Sequence, residues 1–307
     1  MSVAILCPGQ GGQTPDMLER WEGDQRYRDA RDLLASKLPW DVAELARDPQ
    51  RSTLNRHAQA LICLHQISAW SALAHWGLCV DVVAGYSVGE LAAYGVCGAL
   101  TGNEVLHGAM ARALAMDWAA PSDSGMLAVR GVPLRDIEAL VARSDAQIAI
   151  RNAEDHAVLG GTRIALAKVE QEIHQRFNAH VVRLPITVPA HTVHLNAAVP
   201  IFHQALSTLQ WSAFEAPVIA GIDGRSVRSK ADAIDTLSRQ LAEPIEWQTV
   251  LETLVELGVT TALELGPGAA LSRMLLERAP HIAVRALSDF ATLEGAADWA
   301  VQRSVRH

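Results

Sequence analysis

One short segment constrains the fold more than any other part of the chain. An apolar run, Cys79 to Val83, leads into Gly85-Tyr86-Ser87-Val88-Gly89-Glu90, and helix-forming residues follow from Leu91. A strand, the pattern Gly-x-Ser-x-Gly and a helix, in this order, are typical of a nucleophile elbow, in which a sharp turn exposes a serine. The pattern alone also arises by chance in glycine-serine loops. With both flanks present, we predict a strand–turn–helix unit with Ser87 as the nucleophile.

Length, charge and composition narrow the class of protein. The chain has 307 residues, half of them hydrophobic, which suits one large domain or a domain with a smaller insertion. Its net charge of -8 and the lack of a long basic run exclude a general nucleic-acid-binding surface. No apolar segment is long enough to span a bilayer, and the short run Val3 to Cys7 has no basic flank before it. We expect a soluble, cytoplasmic protein without a membrane partner.

The four cysteines, at positions 7, 63, 79 and 97, have no Cys-x-x-Cys spacing. Cysteines in apolar surroundings are usually reduced residues of the core, and this is the role we predict for all four.

Hydrophobic periodicity predicts alternating strands and helices. Val3 to Cys7 is predicted as a buried strand, residues 14 to 78 as mainly helical, and Thr101 to Trp118 as a helix that opens with a capping box. The C-terminal part repeats the alternation, with predicted elements at Pro217–Ile222, Lys230–Ala242, Trp247–Leu257 and Thr261–Leu265, then a final helix after Gly266-Pro267-Gly268. Such alternation indicates a mainly parallel sheet.

Residues 124 to 188 have a different order of elements. Six segments there read strand, helix, strand, strand, helix, strand, which is the ferredoxin-like split unit. We therefore predict a large α/β-hydrolase-like catalytic domain from residues 1–123 and 189–307, with residues 124–188 inserted as a small ferredoxin-like subdomain.

Arg112 occupies an unusual place in the helix predicted from Thr101. Helical spacing puts it on the apolar stripe, beside small or apolar residues, namely Val105, Gly108, Ala109, Ala115 and Met116. A buried guanidinium stays charged and needs an anionic partner. That partner is either a carboxylate of a structural salt bridge or an anionic ligand, and spacing alone leaves both open.

A serine nucleophile needs a base within hydrogen-bond reach. His191, between Pro189 and a predicted helix, is a candidate, but spacing does not choose it over His194 or His281. The glycine-rich turn Pro8 to Gln13 matches neither the dinucleotide-binding nor the P-loop pattern, which weighs against a nucleotide site.

Five segments occur in an order that identifies a family resemblance. They are Pro8-Gly9-Gln10-Gly11-Gly12-Gln13, Gly85-Tyr86-Ser87-Val88-Gly89-Glu90, Met110-Ala111-Arg112, Val188-Pro189-Ala190-His191 and Glu264-Leu265-Gly266-Pro267-Gly268. Together they resemble the malonyl-CoA:acyl carrier protein transacylase family over nearly the whole chain. Within it the chain looks most like the epsilon subunit of malonate decarboxylase, because of Gly-Gln-Gly-Gly-Gln in place of the commoner Gly-Gln-Gly-Ser-Gln, the short Val-Pro-Ala-His segment and the trimmed tail.

The resemblance implies a role for each matching residue. Ser87 would attack the thioester, with His191 as general base and then general acid. The backbone N–H groups of Gln10 and Val88 would form the oxyanion hole, and Arg112 would bind the free carboxylate of malonyl. The backbone carbonyl of Gln240 would orient the histidine, so no acidic third triad member would be needed.

The resemblance also implies the substrates and partners. Malonyl-CoA would be the donor, and the acceptor would be the phosphopantetheine-type arm of an acyl carrier protein. Other malonate decarboxylase subunits would be further partners. No metal and no permanently bound cofactor would be required. Two departures concern the pocket: Tyr86 stands where the family usually has histidine, and Asn152 lies in a segment that is usually richer in asparagine and proline.

Three alternatives remain beside this reading. The first is the malonyl transacylase of fatty-acid synthesis. The second is an α/β-hydrolase-type esterase or thioesterase that uses Glu264 and His281 as its acid and base. The third is a non-catalytic subunit that binds a carrier protein. The intact Ser87, His191 and Arg112 argue against the third.

Overall fold

The computed structural model describes residues 2–304, which form two β-sheets with helices packed around them. The larger sheet has six strands in the spatial order β11-β10-β1-β2-β7-β8. These strands are β1 (Ser2–Cys7), β2 (Val82–Gly85), β7 (Val218–Ile219), β8 (Ser226–Val227), β10 (Val259–Glu264) and β11 (Ala283–Ala286).

The larger sheet is parallel except at its β8 edge. β1 pairs in parallel with β10 and β2, while β7 and β8 form an antiparallel pair. Val3 to Cys7 are fully buried, as expected of a central parallel strand covered on both faces. Because these strands are parallel, the chain segments that follow Cys7, Gly85 and Glu264 all leave the sheet at the carboxyl ends of the strands. α/β proteins commonly place their binding sites at this end of the sheet.

The smaller sheet has five strands in the order β6-β3-β5-β4-β9. They are β3 (Ser124–Arg130), β4 (Gln147–Ala153), β5 (His156–Thr162), β6 (His180–Leu184) and β9 (Ile245–Glu246). The first four pair antiparallel and have the ferredoxin-like arrangement, with a hydrophobic core of their own around Leu127, Ile137 and Ile173. The predicted fold class is thus confirmed. The proposed limits of residues 124–188 stay a prediction, and β9 joins this sheet from outside them.

Twelve α-helices lie in the described part of the chain. They are α1 (Gln25–Ala35), α2 (Val42–Arg47), α3 (Asn55–His75), α4 (Val88–Val96), α5 (Gly102–Ala119), α6 (Leu134–Val141), α7 (Arg163–Arg176), α8 (Ala198–Thr208), α9 (Lys230–Arg239), α10 (Trp247–Glu256), α11 (Ala270–Arg278) and α12 (Leu293–Ser304). Helix α3 is buried along most of its length and packs against α1, α4 and α5.

Several elements differ from the sequence prediction. The helix after Gly268 is not the last, because α11 stops before Pro280, which disfavours continued helix, and the chain returns as β11 and α12. The single strand predicted at Pro217–Ile222 is half of a hairpin with β8, whose turn contains Gly224 at φ +71°. The region 14–78 contains three helices separated by turns, and α8 begins only at Ala198, after a short 3₁₀ turn at Val193–Leu195.

Cys7, Cys63 and Cys97 are buried, as predicted, whereas Cys79 is exposed in the loop before β2. The prediction that all four lie in the core is therefore wrong for Cys79. None of the helices within residues 2–304 combines the length and apolar character needed to cross a membrane.

Candidate active site

Ser87 lies on the turn between β2 and α4, in a strained backbone conformation. Its φ is 56° and its ψ is -121°, values that L-residues rarely adopt and that functional sites tend to retain. The flanking glycines make this turn possible. A Cβ added to Gly85 would lie 2.1 Å from Cα of Glu90, and one added to Gly89 would lie 2.0 Å from the carbonyl oxygen of Cys7. The elbow predicted from the sequence is therefore present.

The glycine-rich turn after β1 packs directly against this elbow. A Cβ on Gly9 would lie 2.8 Å from the carbonyl oxygen of Tyr86, whose own N–H donates to the carbonyl of Cys7 over 2.9 Å. Gln66 of α3 donates to the Pro8 carbonyl over 2.6 Å and fixes the start of the turn. The backbone around Gln10 is thus held beside Ser87.

His191 is the histidine that reaches Ser87. Its Nε2 lies 2.8 Å from the serine Oγ, and its Nδ1 lies 2.5 Å from the carbonyl oxygen of Gln240. A carbonyl can only accept, so Nδ1 carries the proton and Nε2 is free to accept from the serine. The backbone N–H of His191 also donates to the carbonyl of Leu241 over 2.9 Å, which holds the residue at φ 61°.

The electrostatic surroundings keep His191 neutral. The side chain is 1% exposed, and burial, together with the positive charge of Arg112, lowers its pKa to about 3. The hydrogen bond to Gln240 acts in the opposite direction and is outweighed. At neutral pH the imidazole is therefore an unprotonated base.

Arg112, on α5, is 1% exposed and lies beside the nucleophile. Its Nη1 donates to Gln59 Oε1 over 3.0 Å, while Nη2 donates to Gln240 Oε1 over 3.1 Å and to Ser87 Oγ over 3.3 Å. Burial lowers its pKa to about 10, so it stays charged at neutral pH. Among residues 2–304 no carboxylate forms an ion pair with Arg112, and the structural salt bridge considered from the sequence is not formed.

Amide side chains hold this cation in place of a carboxylate. On one side Gln59 donates to Asn55 Oδ1 over 2.7 Å, and Asn55 donates to Asp117 over 2.9 Å. On the other side Gln240 donates to Glu90 Oε2 over 2.5 Å. Sequence reasoning assigned no role to Asn55, Gln59 or Glu90. Two amide residues at one-turn spacing on the buried helix α3 were the signal for the first two.

Tyr86 and Asn152 face each other across the two sheets. The Tyr86 hydroxyl donates to Asn152 Oδ1 over 3.1 Å, and the Asn152 amide lies 3.3 Å from Nε2 of His156. The Tyr86 ring meets Trp247 edge-to-face at 5.1 Å. Tyr86 is thus the chain neighbour of Ser87, and Asn152 is joined to Tyr86 by a hydrogen bond.

The residues of the hydrolase alternative are elsewhere. His281 is exposed in the loop before β11, and His194 bonds to the Asp145 carbonyl on the surface. Glu264 is buried and accepts the backbone N–H groups of Leu271 and Ser272 at the start of α11. Its carboxylate therefore holds a helix end.

Comparison with known proteins points to one group of enzymes. A family model described as the acyl transferase domain matches residues 5–286. The malonyl CoA-acyl carrier protein transacylase of Mycobacterium tuberculosis H37Rv is 30% identical over 301 residues, which cover 95% of this chain and 98% of the relative. The transacylase of the same description from Bacillus subtilis 168 is 26% identical over 306 residues, with 95% of each chain covered.

Solved structures agree with this similarity. The acyl-carrier-protein S-malonyltransferase from Burkholderia pseudomallei 1710b superposes with a TM-score of 0.90 at 26% identity, covering 97% of this chain and all of the other. The structure described as MCAT from Mycobacterium tuberculosis gives a TM-score of 0.88 at 29% identity, with the same coverage. In both cases the whole fold is shared, including the small sheet.

Proposed function

Since the chain belongs to the acyl transferase domain family, we propose that it transfers a malonyl group from malonyl-CoA to the thiol of an acyl carrier protein. One observation carries the choice of acyl group: a buried arginine, unpaired with any carboxylate of the described chain, lies 3.3 Å from the nucleophilic oxygen. The names of the relatives point the same way.

In the first half-reaction Ser87 Oγ attacks the thioester carbonyl of malonyl-CoA. His191 Nε2, at 2.8 Å, takes the hydroxyl proton as the oxygen–carbon bond forms. The carbon–sulfur bond then breaks, and the imidazolium returns its proton to the departing CoA sulfur. The product is a malonyl ester on Ser87, with the histidine neutral again.

The backbone N–H groups of Gln10 and Val88 are the proposed donors to the oxyanion of each tetrahedral intermediate. Val88 begins α4, where N–H groups lack an intrahelical acceptor, and Gln10 belongs to the turn that packs on the elbow. Donors fixed in place before the reaction stabilise the developing charge without reorganisation. The proposal thus gives the glycine-rich turn a catalytic reason for its position.

Arg112 selects the acyl group in this proposal. Its guanidinium presents a planar pair of donors that suits the carboxylate of malonyl and has no counterpart in acetyl. The substrate carboxylate would replace the weak contact with Ser87 Oγ and neutralise the buried charge. Tyr86 and Asn152, which are hydrogen-bonded to each other, are the proposed lining of the pocket for the acyl chain.

The second half-reaction reverses the first with a different thiol. His191 takes the proton of the carrier's pantetheine thiol, the sulfur attacks the ester, and Ser87 Oγ regains a proton as it leaves. A cavity of about 200 Å³ lies beside the glycine-rich turn, and its lining includes Gln10, Gln13, Thr14, Ser52 and Pro185. The Gln10 side-chain oxygen is buried without a partner within residues 2–304, and an amide of the arm would supply one. That neither a metal nor a permanently bound cofactor is needed remains a prediction.

For the acceptor, we propose the carrier protein of malonate decarboxylase. The support is the Gly-Gln-Gly-Gly-Gln turn. A Cβ on Gly12 would lie 2.6 Å from the carbonyl oxygen of Pro267, so the serine that is commoner at this position requires a shifted loop. Transfer of malonyl from the loaded enzyme to each of two purified carriers, one from malonate decarboxylase and one from fatty-acid synthesis, tests the choice. Faster transfer to the fatty-acid carrier would reverse it.

The transferase itself is tested by intact-protein mass spectrometry after mixing with malonyl-CoA. We expect a malonyl adduct on the peptide that contains Ser87, and its transfer to a carrier protein on addition of the holo carrier. Ser87→Ala, which removes the nucleophile, is the control and should show neither. An absence of adduct on the wild-type chain would refute the proposed function.

A further inference from the structure

Glu90 is a fully buried carboxylate that the proposed reaction does not use. It lies on α4, three residues after the nucleophile. Its Oε2 accepts from Gln240 Nε2 over 2.5 Å and from the Gly221 N–H over 2.9 Å, and its Oε1 is buried without a partner within the described chain. Burying a glutamate costs free energy, so we ask what Glu90 contributes at this buried position beside Gln240.

Gln240 connects this carboxylate to Arg112. The amide donates through Nε2 to Glu90 and accepts through Oε1 from Arg112 Nη2 over 3.1 Å. A guanidinium can only donate, and Glu90 Oε2 accepts the Gln240 amide as it accepts the Gly221 N–H, so the amide between Arg112 and Glu90 fits in one orientation. Glu90 and Arg112 together therefore fix the Gln240 amide, with its oxygen toward Arg112 and its NH₂ group toward Glu90.

The same glutamine also holds the base. Its backbone carbonyl accepts from His191 Nδ1, and the next residue, Leu241, accepts from the His191 backbone N–H. A contact that fixes the Gln240 side chain also limits movement of the backbone segment that orients the imidazole. Glu90 is thus connected to both Arg112 and His191 through Gln240.

One glycine makes room for this carboxylate, and another makes room for the backbone of Glu90. A Cβ on Gly221 would lie 2.9 Å from Glu90 Oε2, and a Cβ on Gly85 would lie 2.1 Å from Glu90 Cα. Gly85 serves the elbow in any case. Gly221 is not part of the elbow, and its lack of a side chain lets its N–H approach the Glu90 carboxylate.

We infer that Glu90 is a positioning residue, which sets Arg112 for a carboxylated acyl group by fixing the orientation of the Gln240 amide and supports His191 through the same residue. This inference rests on the proposed malonyl transfer. It adds to that reaction a residue that contacts no substrate and acts on acyl-group selectivity.

The test compares Glu90→Gln, Gln240→Ala and the double variant, with malonyl-CoA and acetyl-CoA as donors. Glu90→Gln keeps the shape and can still accept one bond, but it can also present an NH₂ group to Gln240, so the contact no longer selects one orientation of the Gln240 amide. We expect malonyl transfer to fall by about tenfold and acetyl transfer by less than about threefold, within the range of coupled contacts. In the Gln240→Ala background, which retains the backbone carbonyl, Glu90→Gln should change the malonyl-to-acetyl ratio by less than about twofold.

Glu264→Gln is the matched control, because Glu264 is also buried and accepts backbone N–H groups but contacts neither Gln240 nor Arg112. It should leave the malonyl-to-acetyl ratio unchanged. Thermal unfolding of each variant reports whether it is folded at the assay temperature.

Three results would overturn the inference: equal losses for both donors in Glu90→Gln, the same selective loss with Gln240 already replaced, or a wild-type ratio in Gln240→Ala. The last decides the matter even if Glu90→Gln does not fold. A wild-type chain that forms no malonyl-serine would instead refute the proposed function, so the two failures are distinguishable.

Discussion

Two arginines beside Gln240 show opposite ways of holding a positive charge. Arg239, its neighbour in sequence, has a side chain 43% exposed and bonds to Asp235 over 3.0 Å and to Glu243 over 2.8 Å. Arg112, bonded to the side chain of Gln240, is 1% exposed and has neutral amide partners. The exposed arginine has two carboxylates and the buried one has none within the described chain.

The difference separates stability from function. An exposed ion pair contributes little, since water already solvates both charges. A buried guanidinium without a counter-ion is costly, and a fold retains it where a ligand supplies the anion. Neutral amides orient Arg112 without neutralising its charge, which leaves that charge for the proposed substrate carboxylate.

The largest effect on activity is expected from replacing Arg112, the buried arginine of this comparison. Arg112→Ala removes the carboxylate partner, and malonyl transfer should fall by about 10³-fold, or about 4 kcal/mol, since a buried charged contact is lost. Acetyl transfer should change by less than about tenfold, because acetyl has no carboxylate to bind. Steady-state transfer with both CoA esters measures this, and Arg112→Lys, which keeps the charge without the planar pair of donors, should fall between. Equal losses for the two donors would contradict the role of Arg112.

The second effect concerns the pKa of Glu90, the carboxyl group that Gln240 connects to Arg112. Burial raises the pKa of Glu90 to about 7 against an ordinary 4.5, outweighing the hydrogen bonds from Gly221 and Gln240 and the nearby charge of Arg112, while Asp223 raises it further. The folded state therefore holds this proton more tightly than the unfolded state. Its stabilising contribution is complete below pH 4.5 and is lost as the pH rises through about 7.

Glu90→Gln does not titrate, so it isolates this effect. The buried Tyr94 hydroxyl also faces the carboxylate, and its pKa is raised far above neutrality, so it does not titrate in the same range. Relative to Glu90→Gln, the wild type should lose about 3 kcal/mol of unfolding free energy between pH 4.5 and pH 8. Guanidinium unfolding of both proteins at the two pH values measures it. A difference that stays constant would show that Glu90 is ionised throughout.

A smaller effect links Arg112 to the base. The charge of Arg112, after burial, is the second cause that lowers the pKa of His191. Removing that charge should raise this pKa, so the acid limb of the acetyl-transfer rate in Arg112→Ala should move to higher pH. The pH dependence of kcat/KM for acetyl-CoA in both proteins is the measurement. A limb that stays in place would mean that the two side chains do not interact.

The smallest effect is expected on the exposed side. Arg239→Ala should cost less than about 1 kcal/mol of stability, because its ion pairs are in contact with water. Malonyl transfer should be unchanged, as the variant leaves the Gln240 backbone and side chain in place. Urea unfolding and the standard transfer assay test this. A large loss of activity would show that Arg239 helps to place Gln240, and the contrast between the two arginines would no longer hold.

Much of the site was predictable because its residues obey local rules. The strand, glycines and helix around Ser87 predicted the elbow, and the order of elements from 124 to 188 predicted the ferredoxin-like sheet. Both are present, and membership of the acyl transferase family is confirmed. Spacing placed Arg112 on the buried face of its helix, but its partner depends on residues far away in the chain.

What the sequence did not provide are the contacts between distant segments. Glu90 and Gln240 are 150 positions apart, and Gln59 and Arg112 are 53 apart. No periodicity links such pairs, since tertiary packing alone brings them together. Strand β9 was missed for a related reason: two residues are too few to give a pattern, and it is a strand only because β4 offers an open edge.

Strand β9 has a mechanical consequence. Gln240 and Leu241 accept the hydrogen bonds that hold His191, and the chain continues from them within a few residues into Ile245–Glu246. This strand pairs with Ile150 and Arg151 of the small sheet, which directly precede the proposed pocket residue Asn152. The ferredoxin-like sheet is therefore tethered to the segment that holds His191, the proposed general base. A movement of the small sheet away from the large one would therefore pull on the Gln240 carbonyl that aligns the imidazole of His191.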